Sequence, residues 1–120
     1  MLANGGQFGG ARLLSEERIR SFSTPRANPG EMDQVLARVL NLGIGGFHLG
    51  GESPPAPPVI GSNPHTISHP GAGGSIGWAD PDARLAVGIC HNRMFDAQSP
   101  QDNPLQRIGD AIRQALGLPN

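Results

Sequence analysis

The sequence predicts an α+β fold, an antiparallel sheet with a C-terminal helix packed on it. Two patterns carry that expectation. Residues 74–79 and 84–92 read as strands on either side of Asp80-Pro81-Asp82-Ala83, where proline presets φ at the second turn position of a hairpin. Near the end, Asn103 before Pro104, Gln106 three residues past the cap, and Leu105, Ile108, Ile112, Ala115 and Leu116 on one face predict a helix that Gly117-Leu118-Pro119 stops. A helix with a single apolar stripe needs a sheet face to lie on.

The remaining elements follow in chain order. Residues 1–4 before Gly5-Gly6 read as the last turn of a helix and its glycine cap, so the domain is expected to begin upstream of Met1. Ser15 is a cap for a helix whose first turn holds Glu16 and Glu17, with Leu14 and Ile19 spaced as a hydrophobic staple and Pro25 beyond its end. Met32, Val35, Leu36, Val39 and Leu40 form an amphipathic stripe that predicts a second helix ending near Gly43, with a face that needs a partner surface. Residues 44–49 suit a short strand closely approached by another segment, given their glycines. Residues 52–64, with five prolines, predict an exposed connection without packed structure. Residues 66–69 read as a strand. In the last strand Leu85, Val87 and Ile89 alternate with Ala86, Gly88 and Cys90, so both faces are apolar and a central position is expected. Residues 1–120 are read as a single partial domain without internal repeats.

Composition narrows the function. The net charge of -1 and pI near 6.4 come from singly scattered arginines, leaving no basic stripe for nucleic acid. Cys90 is the one cysteine and sits in an apolar run, so it is expected to be a small buried hydrophobe without redox chemistry. The N-terminus has no basic region followed by a long apolar one, and no window is apolar enough to span a membrane, so the chain as written is expected to be soluble and cytoplasmic. Glycine and proline, 18 and 12 residues, make up a quarter of the chain, so some segments are expected to be irregular.

The most informative stretch is His69-Pro70-Gly71-Ala72-Gly73-Gly74-Ser75, followed by Ile76-Gly77-Trp78-Ala79-Asp80-Pro81 and the run Leu85-Ala86-Val87-Gly88-Ile89. It resembles the third active-site motif of the serine β-lactamase, penicillin-binding-protein and esterase superfamily, usually K-T-G, in the branch that has H-x-G. Trp78-Ala79-Asp80-Pro81-Asp82, Asn92-Arg93-Met94 and the stretch from Leu2 to Ser15 extend the resemblance over nearly the whole chain. It implies the C-terminal part of a β-lactamase/transpeptidase-like fold. It also implies site residues: His69 at the lysine position, Gly71 as the glycine that admits substrate, and the Ala72 backbone N–H as an oxyanion donor. Pro70 departs from K-T-G and, lacking a ladder donor, demands an edge-like position. The chain has no lysine and no tyrosine, so S-x-x-K and Y-x-N are missing from it.

Competing readings are weaker. Gly73-Gly74-Ser75-Ile76-Gly77 satisfies the nucleophile-elbow pattern G-x-S-x-G, with His91, Asp80, Asp82 and Asp96 as conceivable triad partners. An elbow needs a helix directly after the serine, and here a hairpin follows. His65 and His69 are four apart, yet prolines at 64 and 70 exclude a helix, and in a strand the spacing separates them by roughly 13 Å, so no metal site is expected. A phosphate loop would require a lysine. His48 and His91 read as packed or surface histidines, and Trp78 and Phe47 as core anchors. No cofactor is expected.

Two function classes stand. In the first, a serine hydrolase acts on a small-molecule ester or amide by acyl transfer, and this chain is its C-terminal portion, inactive alone. In the second, the chain is a non-catalytic remnant or partner-binding module that uses an unpaired sheet edge for self-association or a partner. In either case the isolated chain is expected to be marginally stable or prone to aggregate.

Overall fold

The computed structural model describes residues 1–51, 58–94 and 104–119. Its centre is a four-stranded antiparallel sheet, β5 (His48–Leu49), β6 (Ile67–Pro70), β7 (Ile76–Asp80) and β8 (Leu85–Ile89), in that spatial order. The preceding elements are two small hairpins, β1 (Gln7–Phe8) with β2 (Ala11–Arg12) and β3 (Met32–Asp33) with β4 (Arg38–Val39), and the helix α1 (Glu16–Phe22). The chain closes with α2 (Pro104–Ala115).

Strand alternation places a core on each side of the sheet. Ile76 and Trp78 point from β7 to one face, where they meet Leu105 of α2, Val59 and Ile60, with Val87, Ile89 and Ile112 alongside. Ala79 points to the other face and joins Ile67, Leu49 and Ala3, flanked by Leu2, Phe22 and Phe47. The sheet is therefore covered by α2 on one side and by the N-terminal segments on the other, and the expected α+β class holds.

Several local expectations are met. Residues Leu2–Asn4 form a 3-10 turn closed by Gly5 at φ 61. Ser15 caps α1, its side chain accepting from the Arg18 N–H at 3.1 Å. In the β7–β8 hairpin Ile76 pairs with Ile89 and Asp80 with Leu85. Its turn is held by Asp80 Oδ1, which accepts from the N–H groups of Asp82 and Ala83, both at 3.0 Å. The glycines before β5 do serve close approach, since a side chain at Gly43 would collide with the Phe22 carbonyl. The cap residue Asn103 lies outside the described residues.

Four expectations are corrected. The stripe from Met32 to Leu40 forms the β3–β4 hairpin instead of a helix. Asp33 Oδ1 accepts from the N–H groups of Val35 and Leu36, both at 2.9 Å, which gives the backbone a turn in place of helical bonds, and Ala37 adopts φ 50. Val35 is consequently 91% exposed, and only Leu40 of the stripe is buried. The proline-rich connection is not exposed throughout: residues 52–57 lie outside the described set, but Pro58–Ile60 form a 3-10 turn that puts Val59 and Ile60 into the core under α2. β8 is the edge of its sheet, with Leu85, Val87 and Ile89 half-buried and Ala86 and Gly88 exposed. Cys90, one residue on, is exposed as well.

The inward face of α2 is also rotated from the expected one. Leu105, Gly109 and Arg113 are buried, while Ile108 and Leu116 stay exposed. Gly109 lets the helix lie against the 3-10 turn, because a Cβ there would meet the Val59 carbonyl and come within 2.9 Å of its Cγ2. Arg113 donates from Nη1 to the Val59 carbonyl at 2.9 Å and pairs with Asp110 at 3.4 Å. A hydrocarbon stripe alone does not register this packing.

Two measurements test these contacts. In Gly109→Ala the gain in helix propensity is worth about 1 kcal/mol, whereas overpacking a close backbone contact costs about 1–3 kcal/mol. A net loss of stability is expected in urea denaturation; a more stable variant would contradict the close approach. At the β7–β8 turn, hydrogen bonds from His65 and Asn63 hold the Asp82 carboxyl below its usual range. A depressed carboxylate pKa adds stability above the unfolded value and loses it as pH falls through the folded one. Asp82→Asn should therefore lower the thermal midpoint at pH 7 and leave it nearly unchanged at pH 2.

Candidate active site

The hairpin between β6 and β7 carries the motif. Gly71 N–H donates to Ser75 O at 2.6 Å and Gly74 N–H to Gly71 O at 3.0 Å, a closed turn with Gly71 and Ala72 exposed at its tip. Met94 lies over the turn, near enough that a Cβ on Gly73 would sit 3.1 Å from its Cγ.

Hydrogen-bond parity explains Pro70. In an antiparallel ladder, bonded and non-bonded pairs alternate. The Gly71–Ser75 bond therefore makes His69–Gly77 and Ile67–Ala79 the bonded pairs toward β7, and turns Ser68 and Pro70 toward β5. The bond from Gly50 N–H to Thr66 O at 2.9 Å fits this parity. β5, however, pairs only with Ile67 and Ser68. The proline nitrogen thus faces the open side beyond the end of β5, where a missing donor leaves no ladder bond unmade. β6 is interior at Ser68 and an edge at Pro70.

His69 is exposed, and the residues level with it across the sheet are Gly77 and then Gly88. The row His69–Gly77–Gly88 puts one imidazole beside a floor of bare backbone, and space above Gly88 is open. His48 is the neighbour on the β5 side. Its ring centroid lies 6.1 Å from that of His69, with the planes 89° apart. Burial first, and then the nearby His69 and Arg38, holds the His48 imidazole below its ordinary pKa. Sequence reasoning missed this partner because a lone histidine carries no spacing signal; only the register of β5 on β6 brings the two together.

The described candidate triad carboxylates, Asp80 and Asp82, do not assemble around Ser75, although the register of β8 on β7 brings His91 to the same end of the sheet. Ser75 occupies the β6–β7 turn and leads into a strand, while Asp80 and Asp82 stand at the far end of β7; Asp96 lies outside the described residues. At that far end His65 Nδ1 lies 2.8 Å from Asp82 Oδ2, and Asn63 Nδ2 donates to Asp80 and Asp82 at 2.9 and 3.0 Å. His65 and Asp82 border a groove of about 1000 Å³ that also meets Arg12, Arg20 and Arg84. His65 and His69 thus serve opposite ends of β6. Among the described residues no group of three His, Cys, Asp or Glu could hold a metal, and no helix is long and apolar enough to cross a membrane.

An antiparallel sheet with a helix packed on it is the α+β class that these elements define, and the comparison with solved structures agrees. No family model matches the chain. It is 38% identical over 115 residues to the esterase/beta-lactamase LipL of Mycobacterium tuberculosis, covering 95% of this chain and 24% of that protein. A crystal structure of a family VIII carboxylesterase superimposes with a TM-score of 0.69 at 30% identity, over 92% of this chain and 28% of that one. Both matches are to β-lactamase-related esterases, and they support a C-terminal portion of that superfamily's fold. It spans about a quarter of the length of the relatives it matches.

Because His69 is exposed at the surface of β6, His69→Ala should change stability by no more than about 0.5 kcal/mol. Chemical denaturation checks this, and a larger loss would make the histidine a structural residue.

Proposed function

We propose that this chain is the C-terminal part of a single hydrolase domain that transfers acyl groups from small-molecule esters or amides to water. In this reading β6 and its turn form one wall of the active site. His69 faces the substrate, Gly71 lets it approach the backbone, and the Ala72 N–H receives the oxyanion of the tetrahedral intermediate. The nucleophilic serine and its base come from the three quarters of the fold that the chain does not span, so the isolated chain is inactive. The observation that carries this reading is the exposed tip at Ala72 beside an imidazole over a glycine floor. Backbone donors aimed at developing charge suit acyl transfer.

A second reading rests on β8. By the same parity its outward N–H and C=O groups belong to Ala86, Gly88 and Cys90, none of them charged or proline, which is an edge open to strand addition. That edge serves a non-catalytic chain that pairs with itself or a partner.

Replacing the matched segment of the mycobacterial relative with this chain tests the first reading. The chimera should hydrolyse p-nitrophenyl butyrate, and Ala72→Pro within it should lower kcat by about 10²–10³-fold. The isolated chain should show no turnover. An Ala72→Pro chimera with unchanged kcat would remove the oxyanion role. Turnover by the isolated chain that vanished in Ser75→Ala would make Ser75 the nucleophile.

A further inference from the structure

We propose that the groove at the far end of β6 from the motif is a binding site for a monocarboxylate with a short apolar body, seated between Arg84 on one wall and Arg12 and Arg20 on the other. The inference goes beyond the proposed active site and does not rest on it.

The size and construction of the groove fit a ligand. Its volume of about 1000 Å³ lies at the upper end of the range that takes small molecules, about 300–1000 Å³. The β1–β2 hairpin and α1 bring Arg12, Glu16 and Arg20 to one wall, and the β7–β8 turn brings Asp82 and Arg84 to the other. Both walls are set before anything binds. Arg12 donates from Nη1 to the carbonyls of Gly5 and Leu14 at 2.8 and 3.0 Å and from Nη2 to Gln7 Oε1 at 2.8 Å, which fixes its side chain. The opposite turn is held by the Asp80 carboxylate through the N–H groups of Asp82 and Ala83.

Charge selects the ligand. Three arginines meet two carboxylates in the groove, which leaves one positive charge over. Arg12 and Arg20 share Glu16, at 3.8 and 3.7 Å, while Asp82 is taken up by His65 and Asn63. Arg84 forms no ion pair among the described residues, and it holds φ 50, a conformation that glycine adopts more readily. One carboxylate closes the balance, and the guanidinium fork matches its two oxygens. Phe8, which is 66% exposed, lines the groove with Ile19 and Pro81 and offers the rest of the ligand an apolar surface. A phosphate monoester brings close to two negative charges, the second with nothing to meet it.

Hexanoate is the probe, titrated at constant ionic strength into the isotope-labelled 120-residue chain and followed by amide chemical shifts. Saturable shifts at Phe8, Ile19 and Arg84 are expected, with a Kd of about 1–10 mM for so small a ligand. Hexanol and inorganic phosphate at the same concentrations should leave those amides nearly in place, because one lacks the charge and the other the apolar body. Arg84→Gly removes the guanidinium at a φ that glycine accepts, so the turn survives, and it should weaken hexanoate binding by about two- to fivefold. Arg107→Gln, at an exposed arginine of α2 outside the groove, should leave binding unchanged. Shifts that fail to saturate, or that centre elsewhere on the chain, would overturn the site. An equal response to hexanol or to phosphate would overturn the ligand class. Affinity unmoved in Arg84→Gly, or lowered as much in Arg107→Gln, would overturn the role of Arg84 and the proposal with it.

Discussion

Both cores of this molecule depend on the pleat of one strand. β7 sends Ile76 and Trp78 to one side and Ala79 to the other, and its two neighbours are registered on it residue by residue. A one-residue slip would exchange the faces, putting the indole of Trp78 where the fold holds a methyl group. The same register positions the motif residues. It aligns His69 with Gly77 and Gly88, turns Pro70 to the side where β5 has ended, and leaves the Ala72 tip clear of the ladder.

The parts legible in the sequence are those fixed by local chemistry. The Ser15 cap, the Asp80-Pro81-Asp82-Ala83 turn, the extent of α2 and the motif hairpin depend on residues within a few positions of one another, and they stand where expected. What was illegible depended on partners far along the chain. The stripe from Met32 to Leu40 has good helical period, but the Asp33 carboxylate is a local competitor, and no surface covers Val35 to favour the helix. Val59 and Ile60 sit in a proline-rich stretch whose composition reads as solvent-exposed, yet Gly109 and Arg113, some fifty residues on, give them a lid.

The β8 discrepancy has a different origin. Its sequence is apolar on both faces, as suits a covered strand, and among the described residues it is the sheet's edge with Ala86 and Gly88 exposed. The chain spans about a quarter of the relatives' length. At the site, the motif residues could be read in order from the sequence. The contact between His48 and His69 could not, because it arises from strand pairing across 21 positions.

The anchor of α2 has a consequence for how the molecule comes apart. Arg113 holds the helix to the Val59 carbonyl, a backbone group 54 positions earlier in the chain. Four residues on, Asn63 donates to Asp80 and Asp82 in the β7–β8 turn, and it borders the same cleft as Arg113. The stretch from Val59 to Asn63 therefore ties α2 and the β7–β8 turn to each other, so that releasing those five residues would free both at once.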